Sequence, residues 1–238
     1  LKIMQLEKDW KQYPVIRLDM SLAGSTAQAI QSYLSDAFSA YESIYGITPL
    51  STATLTVRFK NIVTTAFKKT GNKVAILIDE YDSPLQHSWM TAEHTDCTDV
   101  YRNVFAVLKA CDEFEKFIFI TGITKFTQIS LFSVLNNLSN ISFMPEYAAI
   151  CGITEEEIKE NFMPWLIQMG EANNWSAQET HDRLKEYYDG YHFSRRNMVD
   201  VYNPYSLVNA LKSKEIINFW ASSGATSLLP KFVDNAEL

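Results

Sequence analysis

The stretch Val-Ala-Ile-Leu-Ile-Asp-Glu-Tyr-Asp, residues 74–82, decides the reading of this chain. Its apolar part is short and rich in β-branched residues, and the unbroken run from Val74 to Ile78 predicts a strand buried in a parallel sheet. Asp79 and Glu80 then stand at the C-terminal end, the side on which an open α/β sheet binds its ligands. A solvated loop has no need of so apolar an approach. Adjacent side chains on a strand point to opposite faces. Both carboxylates therefore reach one ligand only where the chain turns, and Ser83 and Pro84 favour a turn.

The flanking sequence alternates between strand and helix patterns. Residues 14–20, Pro-Val-Ile-Arg-Leu-Asp-Met, read as a strand that starts at Pro14 and stops at the small residues after Ser21. Between about Ser25 and Tyr45, Ala29, Ile30, Tyr33, Leu34, Ala37, Phe38 and Tyr41 recur at three and four, which predicts an amphipathic helix ended by Gly46. A second helix is expected from Thr54 to Lys69, with Leu55, Phe59, Ile62, Val63, Ala66 and Phe67 on one side and Gly71 as its C-terminal cap. Beyond residues 74–82 the sequence predicts a polar loop from Ser83 to Asp99. A helix carrying Val100, Val104, Val107, Leu108 and Cys111 follows, then a strand from Phe117 to Ile120 that closes on Thr121 and Gly122. Strand, helix, strand, helix, strand implies βαβ units with right-handed crossovers, so the fold class is α/β with a mostly parallel sheet.

Past Ile150 the pattern changes. Thr154 with Glu157 and Ser176 with Glu179 read as capping boxes, and Asn203-Pro204 is a helix start. The reading is an α/β core over residues 1–151 followed by an all-helical subdomain over 152–238.

Composition sets outer limits. At 238 residues, 47% hydrophobic and 21% charged, the chain has the make-up of a globular protein. Its formal charge of −7 and the single Arg195-Arg196 pair provide no basic field for a nucleic-acid backbone. Cys97, Cys111 and Cys151 are odd in number and widely spaced, which argues against a disulfide framework and suits a reducing cytoplasm. No apolar run approaches the roughly 18 residues of a membrane span, and Leu1–Trp10 has no signal-peptide pattern.

Several residues are candidates for chemistry, each beside a plainer alternative. Asp79-Glu80 matches the second nucleotide motif of P-loop ATPases: the aspartate holds Mg²⁺ and the glutamate polarises the water that attacks the γ-phosphate. Exposed acids are, however, common at strand ends. Asp82 either seconds Asp79 in holding a cation or caps the next segment. Thr121, at the end of the neighbouring strand, suits a sensor that bonds the γ-phosphate or the attacking water, and Lys125 could lend it a positive charge or be a solvated lysine. Arg195 and Arg196, beyond the aromatic Tyr187–Phe193 stretch, could reach a phosphate as an arginine finger. His87, His94, Asp96 and Cys97 share a segment but fit no zinc spacing, while His181 and His192 read as structural. No G-x-S-x-G elbow is present. The sequence also contains no G-x-x-x-x-G-K-[ST] loop to cradle phosphates, so residues 74–82 read as half of a nucleotide site.

Three segments, VAILIDEYDSPL (74–85), FITGITKFTQISLFSVLNNL (119–138) and YYDGYHF with VYNPYSLVNAL (187–193 and 201–211), together resemble the AAA-ATPase-like family of bacterial and archaeal proteins. The resemblance spans nearly the whole chain. It implies a P-loop NTPase-type sheet in which residues 7–21 supply the second strand, with the first strand, phosphate loop and loop helix lying upstream. That first strand would sit between the strand ending at Thr121 and another that includes Ile141 to Met144. The resemblance assigns Asp79 to Mg²⁺, Glu80 to water activation and Thr121 to the sensor position. It implies ATP and Mg²⁺ as ligands, hydrolysis coupled to an attached effector, often a PD-(D/E)xK nuclease-like domain, and weak or no ATP binding without the loop. The chain then reads as the middle of a longer protein. Two rivals stand beside this: a nucleotide-independent protein-interaction module using the aromatic-rich helical part, and a metal-dependent nuclease or phosphatase using Asp79, Glu80 and Asp82.

Overall fold

Val74–Asp79 forms β2, the central strand of a three-stranded parallel sheet ordered β1-β2-β3, with β1 at Val15–Asp19 and β3 at Glu115–Ile120. A computed structural model describes residues 3–123, 138–193 and 199–219. Two compact units divide the chain, Leu1–Ser139 and Asn140–Leu238.

The sheet of the first unit is covered on one face. Ile16 and Leu18 of β1 and Val74, Ile76 and Ile78 of β2 are buried. The alternate positions are not: Ala75 and Leu77 are half-buried, and Val15, Phe117 and Phe119 are 46%, 54% and 36% exposed. The apolar run thus predicts the strand correctly but not its surroundings, since among the described residues no second layer covers this face. Paired register sets Asp19 beside Asp79 and Ile78 beside Ile120. A register shift at the start of β2 pairs Val74 with Glu115 but Ala75 with Phe117.

Two long helices cover the closed face. Ala27–Tyr45 starts at Thr26, whose side chain accepts the N–H of Ala29, and ends at Gly46 in the left-handed region. It buries Ile30, Leu34, Phe38 and Glu42. Leu55–Thr70 is capped by Thr54 and Gly71 and buries Phe59, Ile62, Val63 and Ala66. The rings of Phe38 and Phe59 stack with centroids 5.1 Å apart, and between the same helices Arg58 makes a two-pronged bond to buried Glu42.

Ser83 to Asp99 departs from the expected polar loop. Helices form at Ser83–Ser88 and His94–Phe105. Pro84 opens the first of these, where its missing N–H costs nothing, and Leu85 is buried beneath it. The second buries Cys97, Val100, Tyr101, Val104 and Phe105, a three-and-four stripe that begins before Val100. It stops at Ala106, and a separate turn of helix covers Val107–Ala110.

The second unit packs helices Glu155–Asn161, Met163–Asn173, Ala177–Tyr188 and Pro204–Ser213 around Leu166, Met169, Leu184, Tyr202 and Leu207. The capping box at Thr154 and Glu157 is complete in both directions. Ser176 and Asn203 cap their helices through the N–H groups of Glu179 and Ser206. The unit is not wholly helical: antiparallel bridges join Ile153 to Tyr202 and Tyr191 to Val201. No strand forms at residues 141–144; the Met144 N–H closes a turn on the Ile141 carbonyl, and Pro145 opens a short 3-10 helix. Among the described residues no helix is long and apolar enough to cross a membrane.

Candidate functional site at the C-terminal edge of the sheet

Because all three strands run parallel, their last polar residues meet on one edge. Asp19 ends β1, Asp79 ends β2, and Thr121 follows β3 directly. The ladder continues past the strands: the Thr121 N–H donates to the Ile78 carbonyl and the Tyr81 N–H to the Thr121 carbonyl, both at 2.9 Å. Thr121 is thereby fixed beside the acids. Its Oγ1 donates to Asp79 Oδ1 at 2.5 Å and accepts the backbone N–H of Glu80 at 3.3 Å. One hydroxyl thus ties down both acidic positions. The other oxygen of Asp79 faces Arg17 Nη2 at 3.4 Å, a contact exposed on both sides and worth little by itself.

Glu80 carries the turn that both carboxylates require. Its φ of +51° lies in the left-handed region, where a residue with a Cβ is strained. The turn falls at Glu80 itself, three residues before Ser83. This swings Glu80 off the alternation of β2 and leaves it exposed beside Asp79. Partial desolvation pushes its carboxyl above the ordinary range, and the charges of Asp82, Asp79 and Asp19 add to the shift. A carboxylate moved in this direction is a better proton acceptor near neutral pH than an unperturbed one.

Asp82 is fully buried. It occupies the position before the Ser83–Ser88 helix without a capping bond from its side chain. Instead it accepts from Gln86 Nε2 at 2.6 Å and from the Ile123 N–H at 3.3 Å.

Among the described residues no group of three or more His, Cys, Asp or Glu could hold a metal ion unaided. That excludes an all-protein cage there. Mg²⁺ commonly takes one carboxylate from a protein and fills its shell with water and phosphate oxygens, and Asp79 Oδ2, 3.4 Å from Arg17, is an exposed carboxylate oxygen at this edge.

Lys125 and Arg195, the expected phosphate contacts, lie outside the described residues, as does Arg196. His94 packs edge-on against Trp89 and contacts Ser88 Oγ, Cys97 is buried, and His87 and Asp96 are exposed, so the four candidate ligands there do not converge. His181 sits 2.9 Å from Glu155, and His192 the same distance from Asp200. In the aromatic stretch Tyr188 is buried and donates to the Ile217 carbonyl, whereas Tyr187 and Tyr191 are exposed. Two site residues went unread in the sequence, Asp19 and Arg17. The available signal was the acid closing the strand at 15–19, as Asp79 closes 74–79.

A family model described as Predicted AAA-ATPase matches residues 1–132. Over 226 residues the chain is 29% identical to "Uncharacterized protein in vnfD 5'region" of Azotobacter chroococcum mcd 1. The match takes in 93% of this chain and 41% of that protein, so the chain spans less than half the length of this relative. No solved structure matches the chain.

Proposed function

The chain belongs to the predicted AAA-ATPase family, and from that premise we propose that its sheet edge is the hydrolytic half of an Mg²⁺-ATP site. The observation that carries the reading is the Thr121 hydroxyl, which holds Asp79 and the Glu80 N–H across two strands at the ligand-binding end of a parallel sheet. In this reading Asp79 holds the cation through Oδ2. Glu80 orients the attacking water and takes up its proton. Thr121 keeps the two acids in register and senses the γ-phosphate. Bound Mg²⁺ supplies charge neutralisation on the phosphate oxygens. Lys125 and Arg195 are proposed as further phosphate contacts.

No G-x-x-x-x-G-K-[ST] motif occurs among these 238 residues, and in this reading another segment of a longer protein supplies the phosphate loop, with a first strand that pairs with β3. Phe117 and Phe119, exposed on the open face of the sheet, favour further chain packed against β3. Hydrolysis would drive an attached effector, in a cytoplasmic setting where ATP is present and the buried thiols of Cys97 and Cys111 stay reduced. A second reading, a nucleotide-independent protein-binding module, is favoured by the exposed Trp165, Tyr187, Tyr191 and Tyr205 of the helical unit.

Calorimetric titration with Mg²⁺-ATP tests the first reading, on this chain and on a version extended upstream through a phosphate loop. The loop supplies several charge-assisted bonds of roughly 1.5–3 kcal/mol each. The expected result is weak or no binding by the short chain, tight binding by the extended one, and loss of turnover with retained binding in Glu80→Gln. Indifference of the extended form to ATP refutes the ATPase reading, and normal turnover in Glu80→Gln refutes the role of Glu80.

A further inference from the structure

A carboxylate taken fully out of water is costly unless its oxygens are bonded, and buried Asp82 uses its bonds to join two separate parts of the chain. Oδ2 accepts from Gln86 within its own helix, and Oδ1 accepts from the N–H of Ile123, two residues beyond Thr121. Between these lies Gly122, where a Cβ would meet Asp82 Oδ1 and the ring of Tyr81. The two segments approach too closely there for any side chain. Tyr81 adds its own N–H bond to the Thr121 carbonyl.

Glu80 is thus pinned on both sides. Before it, Asp79 is held by Thr121 Oγ1; after it, Tyr81 and Asp82 are held by Thr121 and Ile123. A residue in the left-handed region keeps that conformation only where its surroundings over-determine it. We propose that Asp82 is a positioning residue: it clamps the Glu80 turn to the Thr121–Ile123 segment, and so fixes the spacing of Asp79, Glu80 and Thr121. The clamp is a statement about the chain whatever it binds. Its consequence for turnover rests on the ATPase reading above.

Amide hydrogen exchange on the 238-residue chain tests the clamp with Asp82→Ala, Asp82→Asn and Gly122→Ala. Asp82→Ala is expected to speed exchange at Tyr81, Thr121 and Ile123 about ten- to a hundredfold, the effect of removing a charge-assisted bond. Ile16–Leu18 and Ile76 should stay protected. Asp82→Asn retains an oxygen to accept from Ile123 and should recover most of the loss. Gly122→Ala should loosen the same amides from the opposite side. Unchanged exchange at Ile123 in Gly122→Ala, a uniform rise across β1 and β2 in Asp82→Ala, or an Asn variant no better than Ala each overturns the clamp. Should Asp82→Ala not fold, the Asn and Gly122 variants decide the question. In the upstream-extended protein, Asp82→Ala should lower kcat at least tenfold with KM for ATP unchanged, and a rise in KM alone overturns the positioning role. If that extended protein ignores ATP, the ATPase reading fails and the exchange result still decides the clamp.

Discussion

Glu115 gives the sharpest test of the packing, because it is a carboxylic acid held where an acid should not ionise. It opens β3 opposite Val74, is 8% exposed, and neither of its oxygens has a hydrogen-bond partner among the described residues. Burial pushes its pKa from the ordinary 4.5 to about 8; nearby Asp112 adds to the shift and Lys73 opposes it. The adjacent thiol of Cys111 is pushed up to about 11, first by burial and then by the charge of Glu115. Between pH 4.5 and 8 the folded chain keeps the Glu115 proton and the unfolded chain has lost it. The unfolded state therefore binds fewer protons, and stability falls as pH rises through this window, then levels off above it. The gap corresponds to a ceiling of roughly 5 kcal/mol. Water reaching the slightly exposed carboxylate when it ionises brings the expected loss to about 2–4 kcal/mol. The perturbation is Glu115→Gln, which keeps the shape and removes the charge. Urea unfolding at pH 5 to 9, read through amide exchange in β2 and β3 so that the first unit is followed by itself, should show the two proteins diverging with pH, the variant more stable at pH 9. Parallel pH profiles for the two would refute the reasoning.

Arg58→Ala leaves Glu42, 3% exposed, buried without its guanidinium partner, and should cost about 3–5 kcal/mol in denaturant unfolding; a conservative replacement of both partners by apolar residues should cost much less. Thr121→Val removes the bonds to Asp79 and to the Glu80 N–H and should destabilise the first unit by about 1–2 kcal/mol, while Thr121→Ser keeps most of its thermal stability. Glu80→Gly relieves the left-handed strain at φ +51°, a gain of roughly 1 kcal/mol. Higher thermal stability together with loss of turnover in the extended protein would mark that strain as serving the site.

Periodicity and capping are local, and they were readable in the chain. Thr54, Thr154, Ser176 and Asn203 cap the helices they were expected to open, and Gly46 and Gly71 close theirs, because a cap depends on residues three or four apart. The strand at 74–79 and its two neighbours were legible for the same reason. Residues 83–99 were misread because their polar residues masked a buried stripe, in which Cys97 counts as apolar only once it faces a core. Residues 141–144 are apolar enough for a strand, but a turn closing on Ile141 takes their hydrogen bonds instead.

The sequence by itself determined which residues could make strands and helices, that acids end the central strand, and that no G-x-x-x-x-G-K-[ST] motif occurs within these 238 residues. Only the tertiary structure decided where those acids sit and what holds them. Asp19 comes beside Asp79 through the register of parallel strands sixty residues apart in the chain. Thr121 reaches both acidic positions from a third strand, and Asp82 turns inward to hold Ile123. Spacing along the chain carries no information about such contacts. They are fixed by which strands pair and by the cost of leaving a buried carboxylate unbonded.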